Sequence, residues 1–236
     1  MVRLEDAGDN AITVYLAEQP GELALARVLR FSTQARREIG HLLQDLVPSY
    51  CSVTVYYDLL RSDFYTVCSN IRRIVDKLDD ELSLLSQSSA QQSDLVVLPV
   101  YYGEEVAPDL PRVARQTGLT EEQVVAAHST QTYRVHALGF RPGFAFLAET
   151  PEALRVPRME TPRTRVPAGS VAIAGMQAAV YPSASPGGWN LIGRCPKALF
   201  SCRHGKPDVL LNVGDLVRFQ PVSRHAFLDE GGCLDE

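Results

Sequence analysis

The sequence predicts an α+β protein of two domains: a small α+β sandwich with its helices on one face, then an all-β barrel or sandwich with a small helical insert. Three observations predict it. The stretch "SLLSQSSAQQSD" at 83–94 is rich in Ser and Gln, has little to bury, and reads as a linker. Before it, β-branched runs alternate with long stretches of helical periodicity. After it, short apolar runs alternate with Gly and Pro turns. The expected boundaries are 1–85 for the first domain, 86–94 for the linker and 95–236 for the second. At 236 residues the chain is long enough for each part to bury a core.

In the first part, "AITVYL" at 11–16 is strand-like, and 22–46 carries helical periodicity through Leu25, Val28, Leu29, Ile39, Leu42, Leu43 and Leu46. Pro48 and Ser49 stop that helix. "SVTVYY" at 52–57 is a second strand, and 64–85 a second helix through Val67, Ile71, Ile74, Val75 and Leu78. In the second part, 95–102 is a continuous apolar strand and 108–117 a short helix opened by proline. "TEEQ" at 120–123 is a capping box that starts a helix running to about His128. Strands are then expected at 135–140, 144–147, 171–174, 178–181 and 216–222.

Composition narrows the function. A hydrophobic fraction of 45% and a charged fraction of 22% are those of a soluble globular protein. A net charge of −5 without a long basic run disfavours nucleic acid as partner. No apolar run approaches the ~18 residues that span a bilayer. The start, "MVRLED", lacks the basic-then-apolar pattern of a secretory signal, so a cytoplasmic protein is expected. Cysteines 51, 68, 195, 202 and 233 form no C-x-x-C pair, which argues against a disulfide framework. Cys195, Cys202 and His204 match no zinc spacing, and no metal site is expected.

The segment 139–196 stands apart. It holds eight of the 15 prolines, seven of the 16 glycines, six arginines, no lysine and three acids, a local +3 in an acidic protein. Disorder would strip out aromatic and β-branched residues, yet Phe140, Phe144, Phe146, Tyr181, Trp189, Val171 and Ile173 are interleaved. The segment is therefore ordered, and an anionic ligand is one reading of its charge; solvated arginines are the other. Pro162 and Pro167 push their predecessors toward extended backbone, which puts Arg163 and Arg165 on one face. Paired guanidiniums hold carboxylates or phosphates, although spacing alone favours two solvated arginines on an edge strand. Trp189 is either a stacking platform or a core residue. His128 is either an acid or base near neutral pH or a histidine favoured at a helix C-terminus. Ser170 lies in "PAGSV", which is not the serine-hydrolase elbow. No Walker loop, Rossmann fingerprint or H-E-x-x-H occurs.

The motifs "GFRPGFAFL" (139–147), "TPRTRVPAGSVAIAG" (161–175), "VYPSASPGGWNLIGR" (180–194) and "VGDLVRF" (213–219) resemble the B-subunit family of bacterial 5-oxoprolinase. That family also includes allophanate hydrolase subunit 1-like proteins and the kinase inhibitor KipI. The likeness extends through "LPVYYGEEVAPDLPRVARQTGLTEEQVVAAHS" (98–129) and more weakly to "AGDNAITVYL" near the start. The resemblance implies a ferredoxin-like N-terminal domain and a cyclophilin-like, carboxyltransferase-type β-barrel. It implies a C-like partner subunit with a related barrel, an A-type subunit, and ATP (with Mg) at the level of the complex. The activity implied is ATP-dependent opening of 5-oxo-L-proline to L-glutamate, by a chain inactive alone. Alternatives are a KipI-like inhibitor of a histidine kinase, or a component of an allophanate- or urea-processing system. By motif position, Arg163, Gln177 and His128 are candidate catalytic residues. Phe140, Pro142, Phe144, Ser170, Tyr181, Trp189 and Arg194 are candidate substrate-binding residues, and Gly143 also matches. Arg165 falls where the family varies. Phe146 replaces the usual tyrosine and Ala148 a glycine. Ala172, Met176, Ala178 and Ala179 mark further departures around Gln177, and these put substrate and activity in question.

Overall fold

A computed structural model describes residues 2–84, 95–203 and 205–234. The expected linker, 86–94, lies outside the described residues. The chain forms two compact units.

The first unit orders β1 (Arg3–Asp6), β2 (Ala11–Tyr15), α1 (Glu22–Ile39), β3 (Leu43–Pro48), β4 (Ser52–Tyr57) and α2 (Phe64–Leu84). Its sheet is antiparallel in the order β1-β2-β4-β3. β2 and β3 flank β4, joined by α1 in a split β-α-β crossover. A ferredoxin-like sheet takes its outer strand from after the second helix; here β1 holds the position beside β2. Val53, Val55 and Tyr57 of β4 meet Val28, Phe31 and Ile71 of the helices in one core. Two expectations need correction. The first helix stops at Ile39 rather than Leu46, because Gly40 opens a short 3-10 turn (Gly40–Leu42). Leu46 is buried from a strand, opposite Val55. Apolar residues at 39, 42, 43 and 46 fit a helical stripe, but only part of that run is helix.

The second unit adds β5 (Leu95–Val100), α3 (Leu110–Thr117), α4 (Glu121–Thr130), β6 (Thr132–Leu138), β7 (Ala145–Ala148), β8 (Arg163–Val166), β9 (Ser170–Ala174), β10 (Gln177–Val180), β11 (Ser185–Gly187) and β12 (Asn190–Arg194). β13 (Phe200–Arg203), β14 (Lys206–Val209), β15 (Leu216–Pro221) and α5 (Arg224–Asp229) complete it. The proline in the first turn of α3 is Pro111, not the expected Pro108. The capping box of α4 is present: Gln123 N donates to Thr120 Oγ1 at 3.3 Å, and Thr120 N to Gln123 Oε1 at 2.9 Å.

Seven strands form one barrel-like sheet in the order β12-β9-β10-β7-β6-β15-β5. Its two edges meet where Tyr101 and Arg194 exchange backbone hydrogen bonds of 2.9 and 2.8 Å. Inside, Leu98, Val135, Leu147, Val171, Ile173, Ala178, Val180 and Val217 pack with Leu110, Val113 and Val124 of the helices. The alternate residues of β9, β10 and β12 face outward, following the two-residue period of a strand. Among the described residues, no helix is long and apolar enough to cross a membrane.

Closure leaves no room at Gly193, where an added Cβ would lie 2.8 Å from both the Tyr101 carbonyl oxygen and Val100 Cγ1. Gly193→Ala is expected to cost about 1–3 kcal/mol by overpacking, read as a lower urea midpoint at unchanged m-value. Wild-type stability in that variant would contradict the closure.

Candidate functional site

The outward face of β12, β9, β10 and β7 gathers most of the motif residues. Register sets Arg194 opposite Ser170, Leu191 opposite Ala172, and Ala172 opposite Ala179. Gln177 lies opposite both Ala174 and Ala148. Two-residue periodicity, with the bulge between Leu191 and Gly193 in β12, then places Ser170, Ala172, Ala174, Gln177, Ala179, Tyr181, Leu191 and Arg194 on one face. Ala172, Ala174, Ala179, Tyr181 and Leu191 form a second buried cluster with Phe144, Val166 and Trp189, separate from the barrel interior. The two-stranded ribbon of β8 and β11 supplies Val166.

Aromatic rings dominate this face. Phe144 meets Phe146, Tyr181 and Trp189 edge-on at centroid distances of 4.9, 5.3 and 6.0 Å. Such T-shaped contacts suit the ring quadrupole. Small alanines beneath make space for them. Phe140 packs edge-on against Phe144 at 5.3 Å, yet its side chain is exposed and its backbone is left-handed at φ 69°. That conformation is uncommon for a residue other than glycine and marks a constrained turn. Pro142, close by, is exposed.

Arg163 is held rather than free. Its Nη2 donates to Asp109 Oδ1 at 2.8 Å, and its Nη1 to Met159 Sδ at 2.8 Å. Asp109, at the start of α3, is buried; its Oδ2 accepts from Leu191 N at 2.7 Å, and its own N donates to Leu191 O at 3.0 Å. Beside it, Asn190 accepts from Arg112 and donates to the carbonyls of Pro157 and Ile173 at 3.0 and 3.1 Å. These charged and polar groups tie α3, β12, β9 and the start of β8 together. Arg194 Nη1 donates to the Cys233 carbonyl at 2.7 Å. The Ser170 hydroxyl is buried without a hydrogen-bond partner among the described residues.

Burial raises the Tyr181 phenol above its ordinary pKa, and the guanidiniums of Arg158 and Arg163 oppose that rise. His128 lies elsewhere. It is fully buried in the barrel core, its ring stacked on Phe219 at 4.4 Å and its Nδ1 2.8 Å from Tyr102 Oη. Desolvation lowers its pKa to about 3, so it stays neutral at physiological pH. Two grooves are lined by other residues. One of about 700 Å³ in the first unit is lined by Ala17, Pro20, Leu23 and Arg27. One of about 460 Å³ is lined by Tyr102, Glu121, Glu122 and Pro221.

Sequence reasoning missed Asp109, Arg112, Asn190 and Arg158. The signal for Asn190 was available: a polar residue within the apolar run "WNLIG" must be buried with its hydrogen bonds satisfied.

A barrel with a motif-bearing outer face and a fused α+β unit defines the class. Residues 2–211 match the family described as carboxyltransferase domain, subdomain C and D. The B subunit of 5-oxoprolinase from Escherichia coli O157:H7 is 48% identical over 214 residues, covering 91% of this chain and 93% of that protein. Its counterpart from Bacillus subtilis (strain 168) is 33% identical over 234 residues, 97% of each chain. The chain belongs to the 5-oxoprolinase B-subunit family. The crystal structure of TTHA0988 superposes with a TM-score of 0.75 at 37% identity, over 91% of this chain but only 40% of that one. The Kluyveromyces lactis urea amidolyase shares the fold, with a TM-score of 0.75 at 18% identity over 97% of this chain and 15% of that one.

His128 gives a signed pH prediction. The unfolded chain binds its proton below ~6.5, whereas the folded chain resists it down to about 3. Stability is therefore lost as pH falls through that window, by up to ~1.4 kcal/mol per pH unit from this group. Denaturation curves between pH 7 and 4 should show a shallower loss in His128→Gln than in wild type. Parallel profiles would contradict a neutral buried His128.

Proposed function

We propose that this chain is the B subunit of a heteromeric, ATP-dependent 5-oxoprolinase. It would open 5-oxo-L-proline to L-glutamate together with a C-like partner subunit and an A-type subunit. The observation that carries the reading is the gathering of Gln177, Tyr181, Trp189, Phe144, Ser170 and Arg194 on one outer face, in a chain 48% identical to a 5-oxoprolinase B subunit. Arg163 is fixed by Asp109 at the ribbon that borders that face.

The chemistry accounts for the ATP. A lactam carbonyl is a poor electrophile because the ring nitrogen donates into it. Transfer of a phosphoryl group from ATP to that oxygen makes the carbon electrophilic. Water then adds to the carbon, and the C–N bond breaks as the nitrogen takes a proton, leaving an acyl phosphate. A second water releases phosphate, so the products are glutamate, ADP and phosphate. A fixed cation beside the developing oxyanion lowers the barrier, a role for Arg163, with Gln177 donating to the same oxygen. The aromatic cluster excludes water from the ring of the substrate. ATP, with Mg, is assigned to the complex. His128 takes no part in this chemistry, being neutral and inside the barrel.

The departures around Gln177 favour a second reading. Ala172 and Ala179 are buried on the proposed ligand face, and Phe146 lacks the family's phenol there. A face more filled and less polar around Gln177 suits a KipI-like kinase regulator. The third reading, a component of an allophanate- or urea-processing system, rests on the shared fold. Reconstitution with the host's C-like and A-type subunits discriminates these readings. ATP-dependent glutamate release from 5-oxo-L-proline is expected from the complex and not from this chain alone. An intact complex without turnover contradicts the proposal; inhibition of a host histidine kinase, or turnover of urea or allophanate, would replace it.

A further inference from the structure

The loop before β8 carries an arginine that the motifs do not include. Arg158 is exposed and has no ion-pair partner among the described residues. Its guanidinium lies over Trp189, Cζ 5.6 Å from the ring centroid. Surface arginines usually hang from mobile backbone, but this one does not. The Pro157 carbonyl accepts from Asn190 Nδ2 at 3.0 Å, Met159 N donates to Gly188 O at 2.7 Å, and the Val156 carbonyl accepts from Gly175 N at 2.7 Å. The backbone on both sides of Arg158 is thus pinned to the barrel, and the indole fixes the side chain's direction.

Charge distinguishes the two arginines near Tyr181. Arg163 is neutralised by Asp109 at 2.8 Å, while Arg158 keeps its full charge. Beneath them, Gly187 approaches Tyr181 so closely that an added Cβ would sit 2.3 Å from Tyr181 Oη. The Gly187 backbone, the buried phenol and indole, and one uncompensated guanidinium therefore lie together at the edge of the outer face. One net positive charge matches a monoanion. A phosphate dianion would need a second free cation, which Arg163 does not supply.

We infer that Arg158, positioned over Trp189 and beside Tyr181, is the residue that binds the carboxylate of a small acid at the outer face. The guanidinium, backed by the indole, offers a planar pair of N–H donors to the two carboxylate oxygens. The inference rests on the outer face being the ligand face, and it names the class of ligand as a monocarboxylate.

Trp189 is the only tryptophan, so its fluorescence reports this site directly. The full chain is titrated with 5-oxo-L-proline, with 2-pyrrolidinone (the same lactam without its carboxylate), with acetate, with phosphate, and with chloride at matched ionic strength. Saturable change is expected with 5-oxo-L-proline and acetate, and none with 2-pyrrolidinone or chloride. Arg158→Ala should weaken carboxylate binding at least tenfold with an unchanged melting curve, and Arg158→Lys should retain part of it. Equal binding by Arg158→Ala, equal binding of 2-pyrrolidinone, tighter binding of phosphate, an equal response to chloride, or no response to any probe would overturn the inference. Acetate binding that depends on Arg158, without 5-oxo-L-proline binding, leaves the carboxylate site standing and removes the 5-oxoprolinase reading. Turnover by the reconstituted complex with KM unchanged in Arg158→Ala does the reverse.

Discussion

The Asp109 carboxylate is the interaction on which the second unit's organisation depends. It accepts from the Leu191 amide and from Arg163, while its own amide donates to the Leu191 carbonyl. One buried side chain thereby joins the start of α3, the strand β12 and the ribbon strand β8. Such a pair adds little net stability when intact, because the Asp109 carboxylate has left water while Arg163 stays partly exposed. Breaking it by removing one partner leaves a buried charge uncompensated, at a cost of roughly 3–5 kcal/mol. Its value lies in placement: β8 cannot move away from β12 without exposing that cost.

Placement matters because the motif residues gather outside the barrel. The interior is filled by apolar side chains from all seven strands and the two helices, with the His128 ring packed on Phe219 among them. The outer face is instead roofed by the ribbon of β8 and β11, floored by alanines, and walled by Phe144, Tyr181 and Trp189. Small residues and aromatics divide the labour: alanine brings the roof close, and rings fill the space with rigid apolar surface. Arg158 and Arg163 meet solvent at the border. An apolar floor with a charged rim orients a small acid by its carboxylate and leaves its other end against the rings.

Much of this was legible in the sequence, for identifiable reasons. The capping box at Thr120 is a local hydrogen-bond pattern, and local patterns survive folding. The apolar runs at 171–174 and 178–181 were legible as strands, but nothing in them said which face was the barrel interior. Strand β3 stayed hidden because Leu42, Leu43 and Leu46 suit a helical stripe as well as a strand, and Gly40 alone decides between them. The role of Asp109 was not legible: its partners, Arg163 and Leu191, lie 54 and 82 positions away. His128 read either as an acid or base or as a histidine favoured at a helix C-terminus, but burial against Phe219, a contact across the barrel core, makes it a neutral core residue.

The central claim is that the ligand binds on the outer face, over Trp189 and under the ribbon. Hydrogen–deuterium exchange of the reconstituted complex, with and without saturating 5-oxo-L-proline, tests it most directly. The account predicts added protection in 157–163 and 185–190, with the segment 119–129 unchanged. Protection confined to the groove of Tyr102, Glu121 and Pro221, or to the groove of the first unit, would contradict it.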